Sequence, residues 1–196
     1  MISSVLMGIR WKFTFILSAC IGAATAQTQS WKPLFDGKTM TGWQSHNADD
    51  WKVQDGTLSC DGSKASWLSY SEHFTDFQLQ LEFRGTQKVN SGVFLRSDDK
   101  NGQPHITGYE LQIWDYQPAG YVTGSLVGTV KAEPAKVIGD KWNKYDVTAK
   151  GDHFTVILNG KQVLDTHDSK HASGVIGFQC QPQNPIQFRK VRVRPL

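Results

Sequence analysis

The sequence is short of cysteine, of long apolar runs, of helical rhythm and of charge of either sign. Three cysteines in 196 residues are too few for a small disulfide scaffold. No Cys-x-x-Cys, His-x-His or HExxH spacing occurs, so no metal-binding motif is present. "DDKNG" at 98–102 lacks the spacing and closing Glu of a calcium loop. Glycine-rich phosphate loops, dinucleotide fingerprints and a Ser-His-Asp arrangement are also missing, which removes nucleotide-driven and serine-hydrolase chemistry. No segment holds a 3.6-residue apolar period over three turns, so long amphipathic helices are excluded. The formal charge is only +3. Removing residues 1–26 takes away Arg10 and Lys12 and no acid, leaving +1. The one basic stretch, "FRKVRVRPL" at 188–196, alternates as a solvated strand does, so no nucleic-acid partner is expected.

The N-terminus reads as an export signal. "GIRWK" is a positive flank and "FTFILSACIGAA" is an apolar core too short to span a bilayer. "ATA" at 24–26 fits a cleavage site, giving a signal peptide over 1–26 and a domain over 31–196. A second reading takes "LSAC" as a lipobox, with a lipoprotein signal ending before Cys20 and a lipid anchor on that cysteine. Both readings put the protein in the periplasm or outside the cell, with no membrane span after the signal. Cys60 and Cys180 then remain. They are expected either to join, as export permits, or to stay as separate buried thiols.

What is present is short alternating strands between Gly, Asn and Asp turns. Asp55-Gly56 and Asn159-Gly160 are hairpin signals. "FTDFQLQLEFR", "SGVFLR", "YELQIW" and "HFTVIL" alternate apolar and polar residues at period two. The pattern predicts an all-β, two-sheet antiparallel sandwich.

Three strands carry an unusual polar face. Gln78, Gln80, Glu82 and Arg84 fall on it, then Asn90, Phe94 and Arg96, then Glu110, Gln112 and Trp114. Amide and guanidinium groups hydrogen-bond hydroxyls, and an indole covers the apolar face of a sugar ring. The expectation is one shared face, read either as the floor of a carbohydrate cleft or as the solvated side of a sheet. Glu110 is the candidate catalytic acid or base, or else the ion-pair partner of Arg96 or Arg84. Arg96 is the candidate electrophile, its fork suited to a ketone oxygen or a hydroxyl. Asn90, Gln112, Phe94 and Trp114 are candidate substrate contacts. Asp115 either caps a turn in "WDYQP" or joins them. His46, His105 and Lys131 are expected on loops that roof the cleft.

These segments together resemble the 3-keto-disaccharide hydrolase domain family: "PLFDGKTMTGWQ", "WKVQDGTL", "FTDFQLQLEFR", "NSGVFLR", "GYELQIWD", "TGSLVG", "KWNKYDVTAKGDHFTVILNGKQV", "GVIGFQ" and "FRKVRVRPL". They occur in the family's order and cover nearly all of the chain after residue 32. The resemblance implies a concanavalin-A-like lectin/glucanase sandwich of jelly-roll type. It also implies cleavage of oligosaccharides or glycosides already oxidised at sugar carbon 3, by hydrolysis or by elimination and hydration. No cofactor is implied, and a divalent ion held through Glu110 and a loop histidine, though chemically conceivable, has no motif to support it. An upstream sugar 3-oxidoreductase would supply the ketone. Two other readings share the scaffold: a non-catalytic carbohydrate-binding module, and a conventional glycosidase, which needs a second carboxylate where Gln112 stands.

Overall fold

A computed structural model describes residues 30–99, 103–137 and 139–196. The export signal and Cys20 lie outside the described residues. The chain forms the expected two-sheet antiparallel sandwich.

The larger sheet is built from β1 (Lys32–Pro33), β3 (Trp51–Gln54), β4 (Thr57–Cys60), β6 (Phe77–Gly85), β9 (Asn143–Lys150), β10 (His153–Leu158), β11 (Lys161–His167) and β13 (Ile186–Pro195). Its order is β11-β10-β9-β6-β13-β4-β3, with β1 also paired to β13. The smaller sheet holds β2 (Trp43–His46), β5 (Ser66–Phe74), β7 (Ser91–Ser97), β8 (Tyr109–Ile113) and β12 (Gly174–Cys180), in the order β2-β5-β12-β7-β8. One helical turn, α1 (Pro104–Thr107), joins β7 to β8.

The period-two pattern sets which residues meet between the sheets. Phe77, Leu79, Leu81 and Phe83 point inward from β6, and Leu111 and Ile113 from β8; all are buried. At the centre the rings of Phe178 and Phe188 stack at 4.0 Å, and Trp43 stacks on Phe178 at 5.0 Å. A disulfide between Cys60 on β4 and Cys180 on β12 joins the two sheets beside these rings. The hairpins close where the sequence marks them. Asp55 and Gly56, and likewise Asn159 and Gly160, all take positive φ, as a two-residue turn matching strand twist requires.

Two expectations about the polar faces need correction. Alternation tells which residues share a face of their own strand, and is silent about which sheet the strand joins. β6 lies in the larger sheet, so Gln78, Gln80, Glu82 and Arg84 sit on the opposite outer face of the sandwich from Glu110. They pair there with Arg194, Arg192, Arg189 and Gln187 of β13. Arg96 departs for another reason. Between Phe94 and Ser97 strand β7 advances three residues while β12 advances two, and Arg96 takes φ 52°. This bulge turns its side chain in toward the end of the sandwich. Its Nε donates to the Thr75 carbonyl at 2.8 Å and its Nη1 to Gly151 at 2.7 Å and His171 at 3.2 Å. Asp76 and the Phe154 ring complete the enclosure. Arg96 is 1% exposed and ties three connections together.

Candidate functional site

The outer face of the smaller sheet is the polar floor that alternation anticipated around β7 and β8. Register places Glu110 opposite Phe94 and Gln112 opposite Gly92. Phe94 then faces Gly177, and Gly177 faces Ser69. In the neighbouring row Gln179 pairs with Trp67, and Trp67 with His46. Because Phe178 pairs with Val93, Gln179 stands beside Gly92. The floor therefore carries Gln112, Gly92, Gln179, Trp67 and His46 in one row and Glu110, Phe94, Gly177, Ser69 and Gln44 in the next. Glu110 is the one carboxylate in these two rows.

Two glycines shape this surface. A Cβ on Gly92 would stand 2.7 Å from Glu110 Oε1 and 2.8 Å from its Cγ. The missing side chain is what lets the Glu110 carboxyl lie over β7 toward the middle of the sheet. Gly177 makes the same allowance beneath the Trp67 ring, where a Cβ would meet the Leu68 carbonyl at 2.7 Å. Trp67, Phe94 and Val175 form a small apolar cluster between them, with Trp67 edge-on to Phe94 at 5.8 Å.

Burial sets the electrostatics. Glu110 is 7% exposed, and desolvation pushes its carboxyl up to about 7, against a downward pull from the hydrogen bond with Gln179. Gln179 Oε1 has no partner, so the amide N–H is the group that donates. The Trp67 Nε1 donor is likewise buried and unpaired. A donor and an acceptor on paired residues, both without a partner, are unusual in a folded interior. His46 lies flat on Trp67 at 4.0 Å and its Nε2 is 2.8 Å from Ser69 Oγ. Burial lowers the His46 pKa, and Asp99 draws it partly back.

Asn90, Phe94, Glu110, Gln112 and Trp114 thus share one face, by strand parity. Gln112 is buried and spends Oε1 on the Ile113 N–H, while Trp114 is half-buried at the end of β8. The backbone N–H of Asn90 is held by Asn184. The segment 124–127 runs beside β8 as a further edge, with Val127 N–H bonded to the Glu110 carbonyl. Asp115 organises loops. It accepts from Thr123 Oγ1 at 2.5 Å, from the Val137 N–H and from Gln87. His105 is exposed on α1 and Lys131 is exposed beside the Tyr121 ring, so both lie on connections and not on the floor. His46, by contrast, belongs to the floor. Arg96 forms no pair with Glu110. Gln179 and Trp67 are members the alternation left unread. The signal was available: in "GVIGFQC" Gln179 has the parity opposite to Phe178 and Cys180. Among the described residues one cluster has metal-ligand side chains close together, Asp50, Cys60 and Asp61, and the Cys60 sulfur is in the disulfide.

A family model described as a 3-keto-alpha-glucoside-1,2-lyase-like domain matches residues 30–194. The chain belongs to that family. It is 26% identical over 167 residues to a "3-keto-disaccharide hydrolase" of Bacteroides thetaiotaomicron, covering 68% of this chain and 57% of that protein. It therefore spans little more than half the length of this curated relative. A solved protein of Parabacteroides distasonis with a provisional glycosyl hydrolase assignment aligns with TM-score 0.71 and 27% identity, over 85% of this chain and 100% of the other. The carbohydrate-binding module CBM66 of Bacillus subtilis shares the fold, with TM-score 0.63 and 18% identity over 78% of this chain and 95% of its own.

Proposed function

We propose that this protein cleaves glycosides that carry a ketone at sugar carbon 3, with Glu110 as the acid–base group. The observation that carries this reading is the carboxyl itself, buried on an amide-rich floor and titrating near neutrality. A C3 ketone acidifies the adjacent C2 hydrogen. A carboxyl held near pH 7 is populated in both forms there, which suits it to accept a proton and to return one. Glu110 takes the C2 proton, and the enolate expels the C1 oxygen, which leaves as the alcohol by taking that proton back from Glu110. Water then adds across the new C1–C2 double bond, its oxygen to C1 and a proton to C2. Gln179 positions the carboxyl. Trp67, Asn90, Gln112 and Trp114 bound the space in which the sugar lies.

This chemistry needs one acid–base group, whereas direct glycoside hydrolysis uses a pair of carboxylates. Among the described residues the two strand rows of the floor carry one, Glu110, while Asp99 acts on His46 at the far end of its row. The family relationship and the name of the Bacteroides relative support the same substrate class. The N-terminal signal and the inter-sheet disulfide support action outside the cytoplasm, on a ketone made by a separate sugar 3-oxidoreductase. The competing reading is a carbohydrate-binding module, drawing on the fold shared with CBM66. Saccharide binding alone has no use for a buried carboxyl poised to exchange a proton. Incubation with a 3-keto-disaccharide and with its unoxidised parent separates the readings. Cleavage of the oxidised sugar alone supports the enzyme. Binding of both without product supports the module.

A further inference from the structure

The other outer face of the sandwich is built as deliberately as the floor around Glu110. Its centre, over β6, β13 and the Lys144–Asp146 part of β9, carries Arg84, Lys144, Arg189, Lys190, Arg192 and Arg194 against Glu82 and Asp146, with Asp165 further out on β11. Every arginine among the described residues except the buried Arg96 is on this face, so this face gathers the chain's planar forks. The forks are held in place. Arg84 donates to Gln187, Arg192 Nε to Gln80 at 2.8 Å, Arg194 to Gln78, and Arg189 Nε to Glu82 at 2.7 Å. Two half-buried tryptophans lie against them. Trp142 is 3.9 Å from Arg189 and 4.8 Å from Arg84, and Trp31 is 4.9 Å from Arg192 and 5.0 Å from Arg194.

Between the two stacks β13 bulges. Its register against β6 shifts between Arg189 and Arg192, and Lys190 takes φ 50°. The bulge opens a hollow of about 340 Å³ with Pro33 and Phe35 among its apolar lining and Lys144, Lys190 and Arg192 beside Glu82. That volume is within the range of small-ligand sites, about 300–1,000 Å³. Glu82 accepts from both Arg189 and Lys190, so its charge is already matched. Lys144 is paired with Asp146 at 2.9 Å, whereas Arg84, Arg192 and Arg194 donate only to neutral glutamine amides.

We propose that this face is a second carbohydrate-binding surface, which takes an anionic polysaccharide and seats one acid-bearing sugar ring in the hollow at the β13 bulge. The apolar lining takes the ring. Lys144, Lys190 and Arg192 take the carboxylate or sulfate, and the arginine ladder takes neighbouring charges along the strand. A membrane surface fits less well, because Trp31 and Trp142 are flanked by arginines and not presented for insertion. The site is remote from Glu110, on the opposite side of the core.

The test is titration of the full-length protein with polygalacturonate, dextran sulfate, neutral dextran and phosphatidylserine vesicles, at about 20 mM and about 200 mM salt. The proposal expects at least one anionic polysaccharide to bind, more weakly at the higher salt, while neutral dextran does not. Which of the two binds identifies the acidic group. The triple variant Lys144→Gln, Lys190→Gln, Arg192→Gln weakens that binding at least tenfold, with an unaltered circular dichroism spectrum and unaltered turnover of a 3-keto-disaccharide. Lys190→Glu alone, at a position 66% exposed, weakens it as well. The idea is overturned if neither anionic polysaccharide binds, if the variants bind as well as the natural chain, or if vesicles bind and polysaccharides do not.

Discussion

Replacing Glu110 by Gln should remove activity and at the same time stabilise the protein, and the stabilisation should depend on pH. In the fold the carboxyl titrates near 7, because burial disfavours its charge, against 4.5 for the free group. In the open chain it ionises near the ordinary value. The sign follows from linkage. An acid whose folded pKa is raised opposes folding as pH climbs from the unfolded value through the folded one. Below pH 4.5 it is neutral in both states and contributes nothing. Above pH 7 it is ionised in both, and the penalty is complete. At 1.36 kcal/mol for each pH interval of one, the penalty is about 3 kcal/mol. Glutamine has nearly the same shape and no charge to desolvate. Glu110→Gln should therefore match the natural protein at pH 4 and exceed it by about 3 kcal/mol at pH 8. For a domain of this size that is a rise of about 6–12 °C in Tm. Urea unfolding of both proteins at the two pH values measures it, and other titrating groups cancel in the comparison. An equal stability difference at pH 4 and pH 8 would refute the burial argument. Turnover persisting in the variant would remove Glu110 from the chemistry.

Three further predictions concern the same framework. Gly92→Ala places a Cβ where the Glu110 carboxyl lies, so kcat should fall at least tenfold, the effect of about 1.4 kcal/mol of misplacement, with circular dichroism unchanged; unaltered kcat would mean the carboxyl acts from elsewhere. Gln179→Met removes the hydrogen bond that pulls the Glu110 pKa down, so the basic form should appear at higher pH and the rising limb of the pH–rate profile should move alkaline; a limb that stays put or moves acid contradicts the assignment. Cys60→Ser with Cys180→Ser opens a crosslink spanning 120 residues, which should lower stability by about 3–5 kcal/mol, read as a lower urea midpoint; an unchanged midpoint would show that the bridge adds nothing to the joined sheets.

Much of this arrangement was readable from strand parity. "GYELQIWD" and "NSGVFLR" placed Glu110, Gln112, Trp114, Asn90 and Phe94 on a common side, because a strand alternates its side chains whatever the tertiary context. Parity could not tell that "FQLQLEFR" joins the other sheet, since an amide-bearing strand reads the same on either outer face. It also failed at Arg96, where one extra residue in β7 reverses the face, and no residue type near the bulge advertises it. Gln179 and Trp67 went unread because their stretches of β12 and β5 are mostly buried on both faces. "SWLSY" looks like core throughout; Gln179 shows by parity that it opposes Phe178 and Cys180, and register adds that it meets Trp67 on the polar side. The signal for Gly92 was a glycine in mid-strand. That often marks a close approach by another group, and here the group is the catalytic candidate.

The central claim is that Glu110 removes the C2 proton of a 3-keto sugar. The most direct measurement is turnover of a 3-keto-disaccharide deuterated at C2, following both product formation and loss of label to solvent. The natural protein should show a primary isotope effect on cleavage or washout of the C2 deuterium, and Glu110→Gln should show neither process. Cleavage at an unchanged rate with the label retained, or equal cleavage of the unoxidised disaccharide, would contradict that claim.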